Sequence, residues 1–274
     1  MDAPTPRSAL SIAGSDPSGG AGIQADLKTF SALGVYGAAA LTSLTAQNTR
    51  EVRAIHVPPV EFLAQQLDCV FEDLDIAATK LGMLSNEHVV ATVASALRRH
   101  AARNVVLDPV MVSKGGAPLL SDTAVDALRR ELVPLASVLT PNLPEAAVML
   151  GLAEREVLAA PERACERLVA LGCRAVVLKG GHAGGAHSDD LYFDGTSFTQ
   201  LPARRTLSEN THGTGCTFSA AIAAYLALGK PRLEAVQFAK RYVTAAIEGS
   251  KDWKLGRGHG PVHHFHAWWR DASR

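Results

Sequence analysis

The chain has few cysteines, no excess of either charge, and no long apolar run. Cys69, Cys165, Cys173 and Cys216 are its four cysteines in 274 residues. None falls in a CxxC pair, which argues against a disulfide framework or a zinc site. No stretch reaches the about 18 consecutive apolar residues of a spanning helix, so a membrane role is set aside. The opening MDAPTPR is polar and has no apolar segment of the secretory type, so the expected compartment is the reducing cytoplasm. Basic and acidic residues balance at 27 each, and the formal net charge is zero. Nothing in that balance invites a nucleic acid partner. Low-complexity segments are missing, as are Pro/Ser linkers and internal repeats. One domain over residues 9–274 is expected, with residues 1–8 as a flexible tail. Two common phosphate signatures are absent as well: there is no Gly-Lys-Ser/Thr of a Walker A loop and no dinucleotide fingerprint spacing.

What is present is a core-forming composition, 47% hydrophobic, arranged as short apolar runs alternating with amphipathic stretches. That alternation predicts a parallel sheet covered by helices, an α/β fold. Strands are expected at 9–13, 36–44, 77–81, 104–107, 137–139 and 175–178. Helices are expected at 21–33, 59–70, 87–100, 123–132, 143–150, 161–171, 217–228 and 232–249. Residues 192–193 and 197–201, joined by Asp194-Gly195, read as a hairpin.

The most informative segment is ENTHGTGCTFSAAIAA, residues 209–224. A glycine-rich turn running straight into an alanine-rich helix leaves backbone N–H groups unpaired at the positive end of the helix dipole. Such a cradle binds phosphate or a developing anion. Cys216 stands in the first turn, where the same field favours thiolate. A tight turn before a core helix with a buried cysteine would produce the same letters.

Ligands of open parallel sheets gather at the carboxyl ends of strands, and chemistry-bearing residues fall there repeatedly. Gly14 opens the loop GSDPSGGAG before a helix containing Asp26, which serves either as a cap-region charge or as a hydrogen-bond acceptor for a ligand. Asp108 follows the strand VVL and suits magnesium held through water, or a helix cap. Asn142 and Glu145 follow the next strand; Glu145 either reaches the same metal or complements a helix dipole. Lys179 ends a further strand where a phosphate could meet it. Gln47 can hydrogen-bond an aminated heterocycle or sit in a surface turn, and Met83 can pack on a flat ring or in the core. The histidines of the tail GPVHHFHAWW have no carboxylate or cysteine beside them, so docking of an aromatic segment is preferred to metal binding.

AGSDPSGGAGIQADLKTFSALGVYG, LTAQNT, KLGML, VVLDPVM, LTPNLPEA, KGGH, ENTHGTGCTFSAAIAA and GPVHHFHAWW span nearly the whole chain. Together they resemble the hydroxymethylpyrimidine/phosphomethylpyrimidine kinases of thiamin biosynthesis, within the ribokinase superfamily. The resemblance implies a three-layer α/β/α fold with a mostly parallel central sheet, a homodimer, and magnesium-dependent use of ATP. The implied reaction phosphorylates 4-amino-5-hydroxymethyl-2-methylpyrimidine to its monophosphate and then to the diphosphate. Gly14, Asp26, Gln47, Met83 and Val110 match the pyrimidine pocket, and Asp108 and Glu145 the magnesium region. Asn142, Lys179 and Thr211 match nucleotide contacts. Gly213, Thr214, Gly215 and Cys216 match the anion hole and the catalytic position, where the wider superfamily usually has aspartate. A pyridoxal kinase is the nearest alternative, and a non-catalytic pyrimidine or nucleotide sensor the more distant one. The segment 113–117, SKGGA, is a candidate closing loop.

Overall fold

The structure is a computed structural model that describes residues 5–111, 120–182 and 185–269. The candidate closing loop at 113–117 lies outside them. Among the described residues nine strands form one sheet: β1 (Ser8–Gly14), β2 (Tyr36–Gln47), β3 (Val52–His56), β4 (Ile76–Leu81), β5 (Val105–Leu107), β6 (Val138–Leu139), β7 (Val176–Leu178), β8 (Asp190–Phe193) and β9 (Phe198–Leu201). Their spatial order is β3-β2-β1-β4-β5-β6-β7-β8-β9. The six strands from β2 to β7 run parallel, while β3, β8 and β9 pair antiparallel at the two edges.

The helices are α1 (Gly22–Ala32), α2 (Val60–Asp73), α3 (Glu87–Arg99), α4 (Asp122–Ala127), α5 (Leu143–Leu150), α6 (Glu154–Ala159), α7 (Pro161–Val169), α8 (Thr214–Ala227) and α9 (Arg232–Gly249). Strand side chains alternate between the two faces, and each face has its own core. Leu10, Ile12, Val105, Leu107, Val176 and Leu178 pack with Leu63, Leu67, Val93, Leu97, Met149 and Leu168 of α2, α3, α5 and α7. Ala9, Ala78, Val106, Val138 and Val177 pack with Phe30, Phe218, Ile222 and Val236 of α1, α8 and α9. The result is the three-layer α/β/α arrangement. Alanines dominate the buried positions of α8, which lets that helix lie close against the sheet.

Several boundaries differ from expectation. Ser8, assigned above to the tail, is buried in β1 and paired with both Tyr36 and Ile76. Strand β3 was not anticipated: four of its five residues are exposed and it has no apolar pattern, because it only lengthens the β2 edge. The six-residue α6 was missed for its shortness. Helix α8 starts at Thr214 rather than 217, so the glycine turn is the first turn of the helix itself.

The connectivity locates the ligand crevice. The chain leaves β1 for β2 on one side and later returns to β4 on the other, so β1 and β4 flank a topological switch point. In open α/β sheets the crevice lies outside the carboxyl ends at that point.

Candidate active site

Two glycine loops interlock over those strand ends. The β1–α1 loop is tied by Asp16, whose carboxylate accepts from Ser18 N (2.9 Å), Ser18 Oγ (2.6 Å) and Ala21 N (2.8 Å). The loop before α8 presses against it. Gly213 has φ +78°, and a Cβ there would lie 1.8 Å from Gly20 O, so only glycine fits this contact. Thr214 N, the first of α8, donates to Thr211 O at 3.3 Å, while Gly213 offers no side-chain cap to the N–H groups that follow, where an anion can be met.

Together the loops and strand ends enclose a cleft of about 740 Å³. Gly14, Gln47, Met83, Val110, Asp108, Asn142, Glu145, Lys179, Thr211, Gly213, Thr214, Gly215 and Cys216 all line it. Asp26 does not. It is fully buried under the cleft floor, where Lys80 Nζ bonds its Oδ2 at 2.7 Å and Ser11 Oγ donates to the same oxygen at 2.6 Å. Direct contact of Asp26 with a ring in the cleft is therefore corrected: the carboxylate is turned into the protein and holds Lys80, which does reach the cleft wall.

At the α5–β7 side the site is built from charge. Lys179 Nζ lies 2.9 Å from Asp108 Oδ1 and 3.8 Å from Glu145 Oε2. Thr140 Oγ1 donates to Asp108 Oδ1 at 3.1 Å, and Ser219 Oγ donates to Oδ2 at 3.2 Å. Burial pushes the Asp108 carboxyl up, but the ammonium groups of Lys179 and Lys80 outweigh it and hold the pKa below the usual carboxylate range. For Glu145, burial wins over the pull of Lys179 and raises its pKa to about 7. Burial disfavours the Lys179 ammonium, yet Asp108 and Glu145 more than offset this and keep it charged. The helix-terminus reading of Glu145 is seen directly: the residue forms a capping box with Asn142, exchanging bonds of 2.8 and 2.9 Å. Its side chain also faces the cleft.

Cys216 stands where these parts meet. Burial pushes its thiol up to about 11, against the opposing charge of Lys80 and a hydrogen bond from the Gly22 N–H. The helix N-terminus therefore does not make Cys216 a resident thiolate. A Cβ on Gly215 would lie 3.5 Å from both Asp108 Oδ2 and Lys179 Nζ. The cradle and the charged cluster thus share one end of the cleft. Gln47, Met83 and Val110 add an amide and apolar surface to the lining of the same cleft. The C-terminal segment docks on the body: His212 N donates to Gly260 O (3.0 Å), Tyr242 OH to His264 O (2.6 Å) and Trp268 Nε1 to Ala32 O (2.8 Å).

Sequence reasoning missed two partnerships in the cleft, Lys80 with Asp26 and His212 with Asp16. His212 Nε2 lies 2.7 Å from Asp16 Oδ2 across 196 residues. Both His212 and Lys80 sat inside quoted motifs, THGTGC and KLGML, which was the available signal.

A model of the phosphomethylpyrimidine kinase family matches residues 16–263, from the loop aspartate to the docked tail. The hydroxymethylpyrimidine/phosphomethylpyrimidine kinase of Rhizobium meliloti is 55% identical over 263 residues, covering 96% of this chain and 98% of that protein. Among solved structures, an ADP complex of Bacillus subtilis pyridoxal kinase superposes with a TM-score of 0.89 at 37% identity, over 97% of this chain and 100% of that one. The phosphomethylpyrimidine kinase of Clostridium difficile gives 0.76 at 40% identity, over 87% of this chain and 98% of that one. The fold is therefore the ribokinase-like α/β fold of these kinases, and the chain belongs to the phosphomethylpyrimidine kinase family.

Proposed function

We propose that this chain moves the γ-phosphoryl group of ATP to the hydroxymethyl oxygen of 4-amino-5-hydroxymethyl-2-methylpyrimidine, then phosphorylates the monophosphate to the diphosphate. The observation that carries the reading is the 55% identity, over nearly the full length of both proteins, to a relative named for both steps. It is joined to a cleft in which Cys216, the glycine cradle and Lys179 stand at one end. The acceptor hydroxyl attacks phosphorus as the bond to the β–γ bridging oxygen breaks, and ADP leaves. Gln47, Met83, Val110 and Gly14 receive the ring. Asn142 and Thr211 meet the nucleotide, and Lys179 with the N–H groups of residues 213–216 neutralises the charge in motion. Cys216 takes the hydroxyl proton in its minor thiolate form, its own proton having first passed to solvent.

Magnesium fits the donor set as a partner held with the phosphates. Asp108 and Glu145 are hard oxygen donors, but Asp108 is already engaged by Lys179, Thr140 and Ser219. Among the described residues no three His, Cys, Asp or Glu side chains converge on a metal. An ion that keeps several waters and takes its remaining ligands from phosphate suits such a site. Bound there, it supplies charge neutralisation for the triphosphate.

A homodimer is part of this reading. Tyr36, Leu44 and Ile55 leave apolar surface on β2 and β3 at the sheet edge, which supports pairing of two copies. Cytoplasmic residence is part of it too, supported by the four unpaired thiols. No helix among the described residues is long and apolar enough to cross a membrane. Pyridoxal phosphorylation is the second reading, favoured by the superposition on the Bacillus subtilis enzyme. ADP release with Mg-ATP against hydroxymethylpyrimidine, its monophosphate and pyridoxal tests both. Turnover of the two pyrimidines with little on pyridoxal is expected, a pyridoxal preference overturns the first reading, and no turnover of any acceptor points to a sensor.

A further inference from the structure

The main chain of Lys179 is pinned on both sides. Its own N–H donates to Pro141 O at 2.9 Å, which ties the end of β7 to the loop before α5. On the other side, the N–H of Gly180 donates to Asp190 Oδ1 at 2.9 Å. Asp190 opens β8, the antiparallel neighbour of β7. A Cβ on Gly180 would lie 1.8 Å from Asp189 O, so glycine lets the turn after Lys179 press directly on the approach to β8.

Asp190 is itself fixed from a further element. Its Oδ2 accepts from Lys240 Nζ of α9 at 2.7 Å, and the same ammonium donates to Ser188 O at 2.6 Å. Both side chains are nearly buried and form part of the cleft wall. Gly181 O, the next group along the turn, is held at the surface by Arg205 Nη1 at 2.9 Å. The buried anchor is therefore Asp190. A buried ion pair is weak evidence for stability, because apolar side chains of similar volume often serve as well. Here one carboxylate oxygen is committed to the peptide that follows Lys179.

We propose that Asp190, fixed by Lys240, is a positioning residue for the phosphoryl transfer: through the Gly180 N–H it sets where the Lys179 ammonium stands beside Asp108 and Glu145. The inference rests on the reading that Lys179 meets the triphosphate. A lysine stem is flexible, so the point from which it starts decides what its ammonium can reach. Misplacing a group by about 1 Å at a reacting centre can cost about 10²-fold in rate.

Two double variants separate the hydrogen bond from the charges. Asp190→Asn with Lys240→Gln exchanges the ion pair for two amides and keeps an oxygen for Gly180. Asp190→Ala with Lys240→Met removes that oxygen and leaves no unpaired charge in the wall. The apolar pair is expected to lower kcat about tenfold for every acceptor, with KM for the pyrimidine little changed, and to speed amide hydrogen exchange at Gly180. The amide pair is expected to keep both close to wild type. In a Lys179→Met background the apolar pair is expected to cost nothing further, because the side chain being positioned is gone. Asp190→Ser, too short to reach Gly180, takes the place of the apolar pair if that variant does not fold. Equal losses in the two pairs, full kcat without the Gly180 bond, or a further loss on top of Lys179→Met overturns the proposal. Wild-type protein that turns over no acceptor overturns the reading of Lys179 and this inference with it, whereas a fast-exchanging Gly180 amide in active wild type overturns this inference alone.

Discussion

On the side of the cleft proposed to hold the phosphates, Asp108 and Glu145 bring their carboxyl oxygens to 2.9 and 3.8 Å from one ammonium, that of Lys179. Among the residues proposed to receive the acceptor, Gln47, Met83 and Val110 carry no ionisable group, and the Asp16–His212 pair lines the cleft beside Gln47. The contrast follows from the two tasks. Moving a phosphoryl group requires fixed charge that is ready before the reaction, since stabilisation of that kind costs no reorganisation at the moment of transfer. Choosing between flat rings of similar size requires directed but neutral hydrogen bonds, because a buried unmatched donor or acceptor penalises the wrong ring. If this division holds, substitutions at one end change rate for every acceptor, and substitutions at the other change which acceptor is used.

Lys179→Met probes it most severely. It removes the cation between Asp108 and Glu145, and we expect kcat to fall by about 10²–10³-fold, by the same factor for every acceptor. A larger loss on the pyrimidine than on pyridoxal in steady-state ADP release would show that the two ends are not separate. Cys216→Ala comes next. With its thiol at about 11, Cys216 is almost wholly protonated at neutral pH, so its benefit belongs at the low end of proton-transfer catalysis. A fall in kcat of about 10²-fold with KM little changed is expected; unchanged kcat would remove Cys216 from the base role. Gln47→Ala then tests the other end, with KM for the pyrimidine rising about tenfold and KM for ATP constant. An effect confined to ATP refutes that placement.

The parts legible in the sequence were those encoded by neighbours along the chain. The strand VVL followed directly by Asp108, the strand ending at Lys179, and the glycine run before α8 each announce a strand end or helix start within a few residues. Their place at one edge of a parallel sheet supplied the cleft. Partnerships across long separations were not legible. Asp26 looked like a free carboxylate one turn into a helix, and nothing nearby reveals that Lys80, 54 residues on, pairs with it under the cleft floor. His212 was passed over for the same reason, because Asp16 lies 196 residues away. Strand β3 was hidden for a different cause: its side chains are exposed, so it carries no burial pattern to read.

The subtlest expected difference between the two ends is in how stability depends on pH. Asp16 has its pKa lowered from an ordinary 3.8 to about 2 in the folded chain. Its contribution is therefore present above about pH 4 and lost as pH falls toward 2, where the unfolded chain binds the proton first. Glu145 is shifted the other way, from 4.5 to about 7. Between those values the folded chain binds more protons than the unfolded one, so stability declines as pH rises from about 4.5 to 7. The two carboxyl groups thus act on opposite limbs of one stability profile. Thermal unfolding across that range should show Asp16→Asn flattening the acid limb, though not abolishing it, since Asp108 is depressed as well. Glu145→Gln should flatten the neutral limb and leave the acid limb unchanged. The Glu145 effect requires that no cation share its pocket with Lys179. Adding Mg-ATP should therefore shrink the wild-type decline toward that of Glu145→Gln; an equal decline with and without it would mean that the nucleotide and its ion do not reach Glu145.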